Sequence, residues 1–244
     1  MGGSCGELIG FAWLEEPDGV VMQVRPALRA HGSVEKEMLG WAAERLADPG
    51  RNPDGELWTR ALLEDTKLDA LLIRLGFERD QDHALKMHQA LDTAIPEPEL
   101  PEGWTVRPMD GEQELEKRLD IHHAVWPSSR MTTEAHRNLR EAPGYTPSLD
   151  LVAAGPDGAF GAYCLCWHDA ASRTGLFEPL GTSPAHRRLG LGRAVMMEGL
   201  RRLRALRTET ALVTAFSENR AAAGLYESVG FRTVGREHLY GKKP

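Results

Sequence analysis

Cysteine is nearly absent: Cys5, Cys164 and Cys166 are the three in 244 residues, too few for a disulfide framework. Long apolar runs are missing as well, and none approaches the ~18–20 residues that a membrane-spanning helix needs. No basic segment followed by an apolar core opens the chain, so the cytoplasm is the default compartment. Positive charge is in deficit: 29 Lys and Arg against 36 Asp and Glu give a net charge of −7 and a pI near 5.7. That balance argues against nucleic acid as a partner. No Cys/His spacing fits a zinc site; adjacent His122 and His123 point in different directions on a helix, and His136 and His168 read as structural, so no metal is expected. Cys164 and Cys166, alternate residues of a strand, share a face and read as core filling.

What is present is a composition 41% hydrophobic and 27% charged, which suits one large or two small globular domains. Against the acidic whole, seven arginines lie between Arg187 and Arg207. The densest information sits at their start, Pro184-Ala185-His186-Arg187-Arg188-Leu189-Gly190-Leu191-Gly192-Arg193-Ala194. It reads as a proline-ended strand, a basic glycine loop and the beginning of a helix. Glycines let backbone N–H groups approach an anion, the unsatisfied amides of a first helical turn point at it, and the helix dipole favours negative charge there. Arg187, Arg188 and Arg193 add fixed positive charge. The loop reads as a site for a pyrophosphate.

About thirty residues on comes Asn219-Arg220-Ala221-Ala222-Ala223-Gly224-Leu225-Tyr226-Glu227-Ser228-Val229-Gly230-Phe231. This segment resembles the second signature of the GNAT acyltransferases, N-x-x-A-x-x-L-Y-x-x-x-G-F, and the basic loop resembles their R-x-x-G-x-G motif. The resemblance covers roughly Trp104 to Lys243. It implies an α/β (α+β) fold with a mixed, mainly antiparallel twisted sheet flanked by helices. Periodicity places strands at Trp104–Met109, Leu149–Ala154, Phe160–Trp167, Gly175–Thr182, Thr210–Phe216 and from Phe231, and helices near Glu112–Trp126, Thr132–Ala142, Leu191–Leu206 and Asn219–Val229. Met196, Leu200, Leu203 and Leu206 form the apolar stripe expected of the long helix.

Residues 96–103, rich in proline and glutamate, read as a linker between a half at 1–95 and a half at 104–244. The halves repeat. Pro26 to Val34 aligns without gaps on Pro184 to Gly192, and Leu75-Gly76-Phe77 matches Val229-Gly230-Phe231. The first copy has Val34 for Gly192, Glu35 for Arg193, Asp65 for Asn219 and Leu72 for Tyr226, so it reads as a degenerate, partial GNAT-like domain that binds no acyl-CoA. It begins near the family's third strand, at Leu8 to Leu14. The first strand and two helices of the family are missing from it, either genuinely or because the sequence starts late.

The resemblance assigns roles residue by residue. Arg187, Arg188, Leu189, Gly190, Leu191, Gly192 and Arg193 would hold acetyl-CoA, the co-substrate, with Asn219 contacting it, although helix N-capping explains Asn219 equally well. Pro179 cannot donate to a ladder and Gly181 follows it, which predicts a bulge and a locally unpaired strand. The backbone of Leu180, Gly181 and Thr182 would then pair with the pantetheine arm. Tyr226 corresponds to the general acid, and Glu178 lies at or near the position of a catalytic carboxylate. Trp126 and Arg130, between two helices, fall where the acceptor pocket forms, with a loop cap as the alternative. The expected activity is acetyl transfer to a small-molecule amine, distantly like the mycothiol synthase family, which also pairs an inert first domain with an active second. A non-catalytic acyl-CoA-binding or scaffold protein stays open, as does a homodimer that covers the first half's exposed sheet edge.

Overall fold

The computed structural model describes residues 6–15, 17–29, 32–50 and 52–243. Among the described residues ten strands and six α-helices follow one another: β1 (Gly10–Glu15), β2 (Gly19–Val24), α1 (Ser33–Arg45), β3 (Leu57–Leu62), α2 (Thr66–Arg74), β4 (Glu78–Ala90), β5 (Thr105–Pro108), α3 (Leu115–Val125), α4 (Thr133–Arg140), β6 (Asp150–Ala154), β7 (Phe160–Asp169), β8 (Thr174–Thr182), α5 (Leu191–Ala205), β9 (Thr210–Phe216), α6 (Arg220–Ser228) and β10 (Arg232–Lys242). Cys5 lies outside the described residues. Among the described residues no helix is long and apolar enough to cross a membrane.

The chain divides into two compact units. One comprises the residues up to Lys86 with Phe216–Glu218 and Gly235 onward; the other comprises Met87–Ala215 and Asn219–Val234. In the first unit the strand order is β1-β2-β3-β10-β4. Its core gathers Val20, Val24, Met38, Leu39, Ala42, Leu72 and Tyr240. The alternation of β2 is broken because nearly all of its residues are buried, as expected of a strand covered on both faces.

In the second unit the order runs from the end of β4 through β9, β8, β7 and β6 to β5. The β5–β6, β6–β7 and β7–β8 pairs are antiparallel, whereas β8 and β9 are parallel. Helix α5 buries Leu191, Ala194, Val195, Met196, Leu200 and Leu203. Leu206 is 42% exposed and does not complete the stripe, because the helix ends at Ala205. Cys164 and Cys166 are fully buried; the Cys164 thiol lies 3.4 Å from the Val195 carbonyl oxygen, and burial pushes the Cys166 thiol well above its usual range.

The repeat is written in the hydrogen bonds. Gly32 and Gly190 both cap their helices in the left-handed conformation, at φ 65° and 79°. Asp65 accepts from the Leu68 N–H at 3.1 Å and Asn219 from the Ala222 N–H at 3.1 Å. The helices that follow are nine residues each. They end alike: Gly76 and Gly230 take positive φ, and the Phe77 and Phe231 N–H groups reach back to the Leu72 and Tyr226 carbonyls, each at 3.0 Å. This is the six-to-one closure of a glycine C-cap.

Candidate active site

Strands β8 and β9 begin as neighbours and separate. Their pairing covers Thr174–Thr210, Gly175–Ala211 and Leu176–Leu212 and goes no further. Beyond that point β8 keeps its partner on the other side, with Leu180 opposite Cys164, Gly181 opposite Tyr163 and Thr182 opposite Ala162. Between the Cys166–Phe177 and Cys164–Leu180 pairs the register slips, so Glu178 and Pro179 together face Leu165. This is the bulge that a proline without an N–H imposes. The backbone edge of Leu180, Gly181 and Thr182 that faces away from β7 therefore has no ladder partner.

The chain leaves this edge through a 3₁₀ turn at Pro184–His186, with Arg187 extended and Arg188 at φ 67°, and enters α5 at Gly190. The N–H groups of Leu189, Gly190, Leu191, Gly192 and Arg193 meet no acceptor among the described residues. A helix of fifteen residues thus presents its free amides and the positive end of its dipole beside the open edge. Arg187, Arg188 and Arg193 are exposed and make no ion pair among the described residues. Leu189 is exposed, whereas the Leu191 side chain is buried, so Leu191 offers its backbone alone.

Tyr226 and Glu178 come together. Tyr226 is 6% exposed, with its ring 6.3 Å from that of Phe231. Its hydroxyl is pushed up to about 12, chiefly by burial and further by the nearby Glu178 charge. No hydrogen bond to that hydroxyl occurs among the described residues. Glu178 is exposed at the bulge, where its carbonyl accepts the Trp167 indole N–H at 2.8 Å. Asn219 spends its side-chain oxygen on capping α6.

The α3–α4 loop lies against the same part of the sheet. Val125 packs where a side chain on Gly181 would be, 2.8 Å from the position of a Cβ there. Trp126 is 42% exposed and donates its indole N–H to the Tyr163 hydroxyl at 3.1 Å. His122 lies between that hydroxyl, at 2.9 Å, and the Ser129 hydroxyl, at 2.8 Å. Burial and the Arg118 charge hold its imidazole down at about 4. Arg118 stacks 3.6 Å over the Tyr163 ring and pairs with the fully buried Asp150, which also accepts from Tyr145. Arg130 is exposed and takes no part.

A family model for the acetyltransferase (GNAT) family matches residues 113–231, the stretch that contains the separated strands, the amide loop and Tyr226. The chain carries a GNAT acetyltransferase domain. It is an acyl-CoA-dependent N-acyltransferase of that family. The mycothiol acetyltransferase of Streptomyces coelicolor is 27% identical over 96% of this chain and 76% of its own length. That of Thermobispora bispora is 28% identical over 92% and 77%. Among solved structures, a GCN5-related N-acetyltransferase from Sphaerobacter thermophilus overlays with a TM-score of 0.79 at 20% identity, covering 99% of this chain and 79% of that one. A tandem GNAT protein from the clavulanic acid biosynthesis pathway overlays at 0.73 and 14% identity, over 98% and 80%. The fold is the tandem GNAT fold.

Within the GNAT domain the two loop glycines differ in what they do. A Cβ on Gly192 would lie 2.6 Å from the Thr182 hydroxyl, so this glycine lets α5 close on β8 rather than clearing space for an anion. Gly190, at φ 79°, faces open space. Corresponding positions in the first unit are closed on themselves. Arg29, aligned with Arg187, donates to the Val24 carbonyl at 3.0 Å and pairs with Asp65, while Glu35, aligned with Arg193, is buried. The hydrogen-bonded set of His122, Tyr163, Arg118 and Asp150 went unread in the sequence. Their spacings of 41 and 32 residues carry no local pattern; the adjacent histidines were the one visible signal.

Proposed function

We propose that this chain transfers acetyl from acetyl-CoA to the amine of a small polar acceptor by direct attack, in the cytoplasm, and that the acceptor is the amine which on acetylation gives mycothiol. The observation that carries the reading is the opening between β8 and β9, closed at its end by five unpartnered amides and flanked by three unpaired arginines. A pyrophosphate fits such an amide cluster, and an extended pantetheine arm fits the free edge of Leu180–Thr182. Residues 104–244 are taken as the catalytic part, residues 1–95 as a degenerate copy, and 96–103 as the linker. The two mycothiol acetyltransferases, which align over most of the chain, support this choice of acceptor.

The chemistry has two proton problems. An amine attacks only in its neutral form, and at pH 7 an α-amino group, with an ordinary pKa of about 7.7–8.0, is still mostly protonated; Glu178, exposed beside the opening, is the group to take that proton directly or through water. The departing thiolate needs a proton in return. Tyr226, held protonated by burial, supplies it. Trp126 and Arg130 would frame the acceptor. The test is turnover of desacetylmycothiol with acetyl-CoA: acetylated product at the amine supports the reading, and acetyl-CoA binding without transfer to any amine rejects it in favour of a binding protein.

A further inference from the structure

The hydrogen bonds around His122 have a direction that can be worked out from donor and acceptor inventories. An indole N–H only donates, so the Tyr163 oxygen accepts from Trp126 at 3.1 Å. Tyr163 is fully buried, and its hydroxyl proton needs an acceptor. The acceptor in reach among the described residues is His122 Nδ1, at 2.9 Å. His122 therefore carries its proton on Nε2 and donates it to Ser129 Oγ at 2.8 Å. The Met131 N–H donates to the same oxygen at 3.3 Å. Both acceptor positions of the Ser129 hydroxyl are then taken, and its own proton has no acceptor among the described residues. The opposite tautomer would turn Ser129 into a donor toward His122 and leave the buried Tyr163 proton unpaired.

This relay stands directly behind the open edge. Tyr163 is the ladder partner of Gly181, and Val125, on the last turn of α3, packs against that glycine. Arg118, stacked on the Tyr163 ring and paired with Asp150, fixes the ring from behind. Ser129 is half-buried at the loop end of the chain of bonds.

We infer that Ser129 is a specificity residue whose hydroxyl is oriented by the Trp126–Tyr163–His122 relay to donate to an oxygen on the acceptor molecule. Acceptor amines that carry a carbonyl, carboxylate, ether or hydroxyl oxygen near the amine are selected over plain alkylamines. His122 acts through Ser129 and is a positioning residue. The inference rests on the acetyl-transfer reading above but not on the identity of the acceptor.

Two measurements test it. A nitrogen-15 spectrum of the full chain, labelled at histidine, should show His122 as the neutral Nε2–H tautomer from pH 5 to 8; an Nδ1–H tautomer overturns the relay whatever the substrate. With desacetylmycothiol as acceptor and saturating acetyl-CoA, Ser129→Ala should raise the acceptor KM about five- to tenfold, with kcat within threefold and acetyl-CoA affinity unchanged. Ser129→Thr, which keeps the hydroxyl, should restore it. An unchanged acceptor KM in Ser129→Ala overturns the inference. If the wild-type chain does not acetylate desacetylmycothiol at all, the acceptor proposed above fails, and the tautomer still decides the relay.

Discussion

A tyrosine hydroxyl held at about 12 keeps its proton across the whole working range, which is what a donor to a departing thiolate requires. Tyr226→Phe should lower kcat about 10- to 10³-fold with acetyl-CoA affinity nearly unchanged, since only the proton is removed and the ring stays packed on Phe231. No alkaline limb assignable to Tyr226 should appear below pH 10 in the wild-type profile; a limb near pH 9 that vanishes in Tyr226→Phe would remove the assignment. His122 gives the opposite dependence on stability. Its folded value near 4 lies below the usual 6.5, so between pH 6.5 and 4 the unfolded chain binds the extra proton. That contribution is fully present above pH 6.5 and is lost as pH falls toward 4, at up to about 1.4 kcal/mol per pH unit. Denaturant unfolding at pH 7 and pH 5 should show the loss in the wild type and a smaller one in His122→Gln.

At the scale of elements, Gly192→Val and Gly190→Val separate two functions of the loop. The first drives a branched side chain into Thr182 and Leu225, prising the first turn of α5 from β8. It should abolish most acetyl-CoA binding and lower the melting temperature. The second meets open space but forces φ 79° on a branched residue, a strain of about 1–3 kcal/mol that calorimetric unfolding would detect. Most element boundaries were legible because each carries its own punctuation: Pro156-Asp157-Gly158 turns β6 into β7, Gly190 opens α5 and Gly230 closes α6. The bulge was legible for the same reason, since Pro179 cannot donate wherever it lies. Leu206 was misread because periodicity continues one residue past the helix end. The packing role of Gly192 and the His122 relay were not legible at all; both arise where residues far apart in sequence meet, and no local rule reports such meetings.

At the scale of the whole molecule, the two units share their capping glycines and helix-closing hydrogen bonds but differ at the loop. Among the described residues the loop arginines of the second unit make no ion pair and the far edge of β8 has no ladder partner beyond Leu176; in the first unit, Arg29 spends its guanidinium on Val24 and Asp65. The chain also returns at its end, where residues 237–242 pair with Leu57–Leu62 of β3, and the second unit begins at Met87. A fragment of residues 104–244 loses both the partner of that last strand and the end of β4. It should be less stable than the full chain, as denaturant unfolding of the two would show; equal stability and activity would mean that the first unit plays no structural part. The most direct measurement is calorimetric titration of acetyl-CoA into the full chain and into Gly192→Val. One site per chain, lost in the variant, is the expected result; two equivalent sites, or an unchanged affinity in Gly192→Val, would contradict a single cofactor cleft between β8 and β9.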